Sequence, residues 1–502
     1  AAELYEIAIN FGPWDAAGRR DLLRKQAHAL ACAGQLDEAA KLYGDAAELL
    51  PDDHDAVDCE RLRIEALLRR GRLDEALPAA HTLLEHLGVR SPLGKAASRT
   101  RLATQWVQGK LRGLEFIERE ATACSPSDLL RIDVLYSITS GLAFADPALG
   151  RVLQSELLRL ALECGEPWRV VLALVQEVCY SGAGGSRNST AVEAVGERLS
   201  AVAASLGQHA RGLGNTAIGI AAFMGGRWRD AREHLEAGLA ALHDHGAGVR
   251  WELDIGEAYW LGTLVHLGEW REAYRQSLLL LRDAETRGDV GAQLGIRTRS
   301  GLFPWLLSGR VDDARAQLDA THAQLPSGFH LPHVLAIKAA CNIELYVGDP
   351  AAAGSRLDSR WPDIERLGAT RLQHLRVELL MLRARILLAD PKREDRARHV
   401  RGIAEELIKE AAPWAVGLGL CARAGAQALR GEREARMSLS AAEEQFAAAG
   451  MAGWMQVARL RRATLEGGPG GTARAAAARD ILADLGAADP DAVASLLLPW
   501  PG

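Results

Sequence analysis

The sequence predicts an all-α solenoid: about 11–12 antiparallel helix pairs of TPR-like (tetratricopeptide-like) type, with a repeat of about 40 residues. Three observations predict it. The string G-x-x-x-x-A recurs after apolar helical runs: GQLDEA at 34–39, GRLDEA at 71–76, GRWRDA at 226–231, GEWREA at 268–273, GRVDDA at 309–314 and GDPAAA at 348–353, with a shortened GEREA from Gly431. Neighbouring strings lie 37, 42, 41 and 39 residues apart, and the gaps of 155 and 83 are close to four and two periods. Strand signals are nearly absent, while Ala, Leu, Arg and Glu, good helix formers, fill the segments between turns.

Each part of the string has a physical task. Glycine just past an apolar helix supplies the left-handed conformation that other residues adopt at a cost. Asp37 and Glu38, Asp74 and Glu75, or Asp312 and Asp313 then fall in the next helix's first turn, where they suit its dipole and free N–H groups. The closing alanine lets two antiparallel helices approach. Trp228 and Trp270, each two residues after a repeat glycine, read as core.

In chain order, 1–90 reads as N-terminal TPR-like repeats with the first one truncated. Ala1-Ala2-Glu3-Leu4-Tyr5 matches Ala39-Ala40-Lys41-Leu42-Tyr43 one repeat later, so the chain is expected to start in the second helix of a repeat and to continue a longer polypeptide. Residues 91–190 keep helical periodicity but lose the string, with turns at Ser91-Pro92 and Gly182–Ser186. Residues 191–466 resume TPR-like repeats. In 467–502 the run GGPGG marks a break, followed by a capping helix from about 472 to 486 and a tail.

Composition narrows the function. With 59 basic and 65 acidic residues the formal charge is −6, without the basic excess of a nucleic-acid binder. No nucleic-acid or membrane partner is expected, since no stretch approaches the roughly 18 apolar residues of a spanning helix. Seven scattered cysteines without a C-x-x-C pair read as reduced thiols in a cytoplasmic protein. One local exception is Leu87–Leu114, which has no acid and carries Arg90, Lys95, Arg99, Arg101, Lys110 and Arg112; it reads as a solvated face or a docking patch for an acidic partner.

Catalytic motifs are missing: no phosphate loop, dinucleotide fingerprint, kinase catalytic loop, nucleophile elbow or H-E-x-x-H occurs. His243-Asp244-His245 reads as solvated histidines at a helix end, and His330-Leu331-Pro332-His333 as a helix start. No catalytic residue, metal ligand set or cofactor is expected, and an enzyme is the least favoured class. Binding residues are sought on the first helix of each pair, which lines the concave face of a TPR-like stack. Counting back from the glycines places Arg24, His28, Arg61, Glu65, Thr216, Arg299, Lys338 and Asn342 there, for contact with a protein or peptide. Trp251, Glu252, Asp254 and Trp260 form a candidate effector pocket, since aromatic faces beside carboxylates suit a small ligand.

The runs LLRIDVLYSITSGLAFADP (129–147), GGRWRDA (225–231), GVRWELD (248–254) and GFHLPH (328–333) carry a resemblance. They resemble the C-terminal helical-repeat region of bacterial serine/threonine protein kinases fused to an AAA-like ATPase module, and more distantly the repeats of maltose-regulator-type activators. The resemblance covers most of the chain, about 1 to 465. It implies a regulatory arm controlling an upstream kinase or ATPase module of the same polypeptide, and no catalytic residue carries over. Three functions follow: a protein- or peptide-binding scaffold in signalling, a small-molecule sensor, and a free-standing adaptor.

Overall fold

The computed structural model describes residues 1–50, 54–89, 113–246 and 248–500. The basic stretch with Arg90, Lys95, Arg99, Arg101, Lys110 and Arg112 therefore lies outside the described residues, as does the Ser91-Pro92 turn. Among the described residues every regular element is helical. The α-helices are α1 (Ala2–Phe11), α2 (Ala16–Cys32), α3 (Leu36–Glu48), α4 (His54–Arg70), α5 (Leu73–His86), α6 (Pro126–Ala145), α7 (Pro147–Cys164), α8 (Pro167–Gly182) and α9 (Ser189–Ser205). They continue with α10 (Gln208–Gly225), α11 (Trp228–His245), α12 (Arg250–Leu267), α13 (Trp270–Arg287), α14 (Val290–Thr298), α15 (Phe303–Leu307), α16 (Val311–Gln324), α17 (Leu331–Tyr346) and α18 (Pro350–Leu367). The last are α19 (Gln373–Ala389), α20 (Arg396–Lys409), α21 (Pro413–Leu429), α22 (Ala435–Ala449), α23 (Ala452–Glu466), α24 (Gly468–Leu485) and α25 (Pro490–Leu497).

Packing follows chain order. After α1, successive helices from α2 to α24 pack as pairs, with α14 and α15 together forming one broken helix, and α25 closes the chain. All seven string glycines, Gly34, Gly71, Gly226, Gly268, Gly309, Gly348 and Gly431, adopt left-handed φ between 69° and 90°. The first-turn acids are where expected, but the residues before those helices, Gln35 and Arg72, make no side-chain cap. Asp37 instead binds Arg70 and Arg72 across the turn.

Two kinds of helix alternate. The second helix of a pair is amphipathic: α13 buries Trp270, Ala273, Ser277, Leu281 and Ala284, one stripe at helical spacing. The first helix is buried nearly all round, as in α8, where almost every residue from Val170 to Gly182 is inside. What encloses it is chain from far away. Gly34 abuts Asp289, Gly71 abuts Pro326, Gly226 abuts Trp414 and Gly268 abuts Gly453. The turn at 184–186 joins α19 through Gln373, whose Oε1 accepts the Ser186 N–H at 2.7 Å while its Nε2 donates to Glu410 at 2.9 Å. Turn positions thus bear on helix pairs well over a hundred residues later, so the inner helices face an interior rather than an open groove.

The C-terminal segment is more built than its glycines suggest. Helix α24 starts at Gly468 rather than near 472, and the tail forms the further helix α25. The Ala488 N–H donates to Leu307 O at 2.9 Å, Arg385 Nε donates to Leu496 O at 2.7 Å, and Leu496–Leu498 are buried. Among the described residues no helix is long and apolar enough to cross a membrane.

Candidate functional site

Inner helices α6, α8, α10, α12, α17 and α19, with Arg299 at the end of α14, enclose a cavity of about 140 Å³. Its wall is aromatic and aliphatic, with Tyr136, Phe223, Trp251, Ile255 and Tyr259 facing in. A second cavity of about 130 Å³ shares Trp251, Tyr259 and Arg299 and runs towards Arg69 and Pro326. Either matches the roughly 150 Å³ known to admit a benzene-sized molecule.

The break between α14 and α15 shapes the site. Gly301 and Leu302 both take left-handed φ, 60° and 61°, and for leucine this costs about 1–2 kcal/mol. Carbonyls freed by the break are taken up by α17: Lys338 Nζ donates to Arg299 O at 3.2 Å and Asn342 Nδ2 to Gly301 O at 3.1 Å. The Arg299 guanidinium lies over the Tyr259 ring, 4.2 Å from its centroid, and forms no ion pair among the described residues. Among the described residues, four buried polar atoms on residues of this wall lack a hydrogen-bond partner: Thr216 Oγ1, Glu252 Oε2, Arg299 Nε and His374 Nδ1. An unmet buried polar group costs about 1–3 kcal/mol, so such a convergence calls for a reason. Burial raises the Glu252 carboxyl above the ordinary carboxylate range, against the pull of Arg69.

A polar cluster closes one end. His266 from the last turn of α12 meets His374 and Glu378, one turn apart on α19, and their ligand atoms lie within 4.8 Å of one another. His374 Nε2 is 3.5 Å from Glu378 Oε2 and His266 Nε2 is 3.9 Å from Glu378 Oε1. Lys338 Nζ sits 2.7 Å from Glu378 Oε2. Although burial alone would raise it, Lys338 and then His374 hold the Glu378 carboxyl well below its ordinary range. Burial and the neighbouring His374 push His266 down to about 3. The His266 ring stacks on Trp228, centroids 3.9 Å apart and planes within 8°.

The sequence-derived residues divide sharply. Thr216 and Arg299, expected on a concave face, and Trp251 and Glu252, expected in a pocket, line the same cavity. The rest do not present free groups to it. Asn342 is wholly buried, its Oδ1 accepting from Arg385 and its amide spent on Gly301. Lys338 is 4% exposed and holds Glu378 and the helix break. Arg61 and Glu65 pair with each other and with Asp58, Ser137 and Arg69. Asp254 borders the second cavity, but Arg250 and Arg287 occupy its carboxylate at 2.6 and 2.9 Å. Trp260 points away and donates to Glu236 on α11. Arg24, beside Asp21 and Asp58, and the exposed His28, beside Cys32, lie near the N-terminus on α2.

No metal ligand set was expected from sequence; the fold brings His266, His374 and Glu378 together. Only His374-x-x-x-Glu378 was visible as a spacing; His266 joins them from 108 residues earlier because the chain closes on itself. His330 and His333 do form a helix start, with the His330 N–H donating to His333 Nδ1 at 3.2 Å. No protein-family model matches the chain, and no characterised protein matches its sequence.

Proposed function

We propose that the chain is a TPR-like superhelical solenoid that encloses a small organic effector, acting as a sensor arm rather than as a catalyst. One observation carries this reading: a single aromatic-lined cavity is bordered by Thr216, Glu252, Arg299 and His374, each of which has a buried polar atom without a hydrogen-bond partner among the described residues. A ligand with an apolar body and a few hydrogen-bonding groups would bury the one and satisfy the others, as in most small-molecule sites. The solenoid reading is supported by the ordered helix pairs and the left-handed string glycines. Contact between distant turns favours an enclosed ligand over a peptide laid in an open groove. The resemblance to kinase-associated repeats suggests the output: occupancy of the cavity sets the state of an attached kinase or ATPase module.

Thermal-shift and tryptophan-fluorescence screening across carboxylates, amines and neutral aromatics tests the proposal. At least one compound class is expected to raise the melting temperature of the parent protein, and Thr216→Val and Arg299→Met should abolish that shift while keeping the fold. Ligands that bind equally to both variants, or a folded protein that responds to none while ordered water fills the cavity, would count against it.

Contact with another protein is the second reading, and α1 favours it. Leu4, Ile7 and Phe11 on this helix are 72%, 53% and 85% exposed, an apolar row of the kind a partner helix covers. Leu4→Glu combined with Phe11→Glu should weaken association with such a module without moving the melting temperature. Unchanged association would remove this reading.

A further inference from the structure

We infer that His266, His374 and Glu378 form a binding site for one first-row divalent transition-metal ion, zinc(II) being the reference case. Two imidazoles and one carboxylate are a donor set that zinc and its neighbours accept, with the remaining coordination positions open. The geometry is close to what coordination demands. Ligand atoms about 2.1 Å from a tetrahedral ion lie about 3.4 Å apart. His266 Nε2 and Glu378 Oε1 are 3.9 Å apart, while the 3.5 Å approach of His374 Nε2 is to Oε2, the oxygen that Lys338 holds. The widest pair, within 4.8 Å, must close by up to about 1.4 Å to reach that spacing, a movement shared between two side chains.

The surroundings favour a fixed site over a chance meeting of side chains. His266 is clamped face to face on Trp228, and Trp228, Phe223 and Trp414 pack edge or tilt against the two imidazoles, which fixes both ring planes. Glu378 and His374 share a helix face one turn apart, so their relative placement is set by α19 alone. His374 is 8% exposed; its Nε2 faces Glu378, and its Nδ1 is buried without a hydrogen-bond partner among the described residues. Lys338 bonds Glu378 Oε2, leaving Oε1, the oxygen nearer His266, for the ion; ligating carboxylates commonly carry such an outer partner. Lys338 also opposes a dication by charge, which makes it the diagnostic residue. His374 and Glu378 line the cavity, so the open positions of the ion would face it. The metal site stands without the effector reading, because ion binding is measurable with no organic ligand present.

The test uses the full chain, stripped with a chelator and titrated with cobalt(II) and zinc(II), followed by cobalt ligand-field absorbance, calorimetry and metal content. One equivalent per chain is expected, with cobalt bands in the visible. Glu378→Gln and His374→Ala should each weaken binding 10- to 100-fold or more, while Lys338→Met should tighten it by removing the competing ammonium. Circular dichroism and the melting temperature report folding. If His374→Ala unfolds, Glu378→Gln and Lys338→Met decide the matter, since neither removes much volume. No stoichiometric binding by the folded parent, or binding that Glu378→Gln and Lys338→Met both leave unchanged, overturns the inference. Loss of metal binding with an intact effector response, or the reverse, separates its failure from that of the proposed function.

Discussion

Two half-buried glutamates flank Arg69 and meet opposite fates. Glu65, on α4, accepts hydrogen bonds from Ser137 Oγ at 2.6 Å and Arg61 Nη1 at 3.2 Å, and pairs with Arg69 at 2.5 Å. Against the upward push of burial, Arg69 and Arg61 hold its carboxyl below the ordinary range. Glu252, on α12, keeps one oxygen, Oε2, without a hydrogen-bond partner among the described residues, and burial holds its carboxyl above that range against the pull of Arg69. Both sit on first helices of their pairs, and both were sequence candidates for ligand contact. The difference teaches that satisfaction, not burial or polarity, separates a structural charge from a binding one. A network with every lone pair engaged holds two helices together, whereas a network left incomplete inside an apolar chamber waits for a partner.

The comparison breaks most visibly at the arginines. Arg61→Met strands the half-buried Glu65 and Asp58, so a loss of about 2–3 kcal/mol is expected in denaturant unfolding. Arg299→Met removes a guanidinium that has only the Tyr259 ring beneath it, with an expected loss of about 1 kcal/mol. Equal losses would mean that Arg299 is a structural residue and that the cavity wall is an ordinary core.

A smaller effect separates string glycines that carry contacts between turns from one that does not. At Gly226 a Cβ would fall 2.1 Å from the fully buried Trp414, in addition to the strained φ of 77°. At Gly431, φ is 69° and nothing lies within 4 Å. Gly226→Ala should therefore cost about 2–3 kcal/mol and Gly431→Ala about 1 kcal/mol, read from melting temperatures. If the two substitutions cost the same, the packing of distant turns contributes little.

The two glutamates also differ in the sign with which stability depends on pH. Glu65 has a lowered folded pKa, so its contribution is present above the ordinary carboxylate range and fades as pH falls through it. Glu252 has a raised folded pKa, so its contribution is present at low pH and is lost as pH rises through the folded value. Melting curves from pH 4 to pH 8 should show Glu65→Gln falling below the parent as pH rises, and Glu252→Gln gaining on it. Slopes of the same sign would erase the distinction.

How much of this the sequence disclosed depends on its range. Helix pairs and their turns were legible, because the left-handed glycine and the alanine after it act over a few residues. The terminal helix α25 was missed, since Leu496 and Leu498 acquire their meaning only against Arg385 and the helices it joins. Thr216, Trp251, Glu252 and Arg299 were named from helical register, yet nothing local said that they share one chamber. Lys338 and Asn342 were misplaced for a related reason: Gly301 and Pro304 mark the break at Gly301–Leu302, but nothing local says that its carbonyls consume the donors of these two residues. His266 was invisible as a partner of His374 because its approach depends on how the chain winds. Sequence marks the period, while the closure that makes a site is a property of many repeats together.

The central claim is that the interior is a ligand chamber. Native mass spectrometry of the chain purified under mild conditions, before and after addition of the best compound from the thermal screen, tests it most directly. The account predicts a single bound small molecule per chain, held by the parent and lost from Arg299→Met. A folded parent that carries no added mass, or an adduct that Arg299→Met and Thr216→Val retain in full, would contradict it.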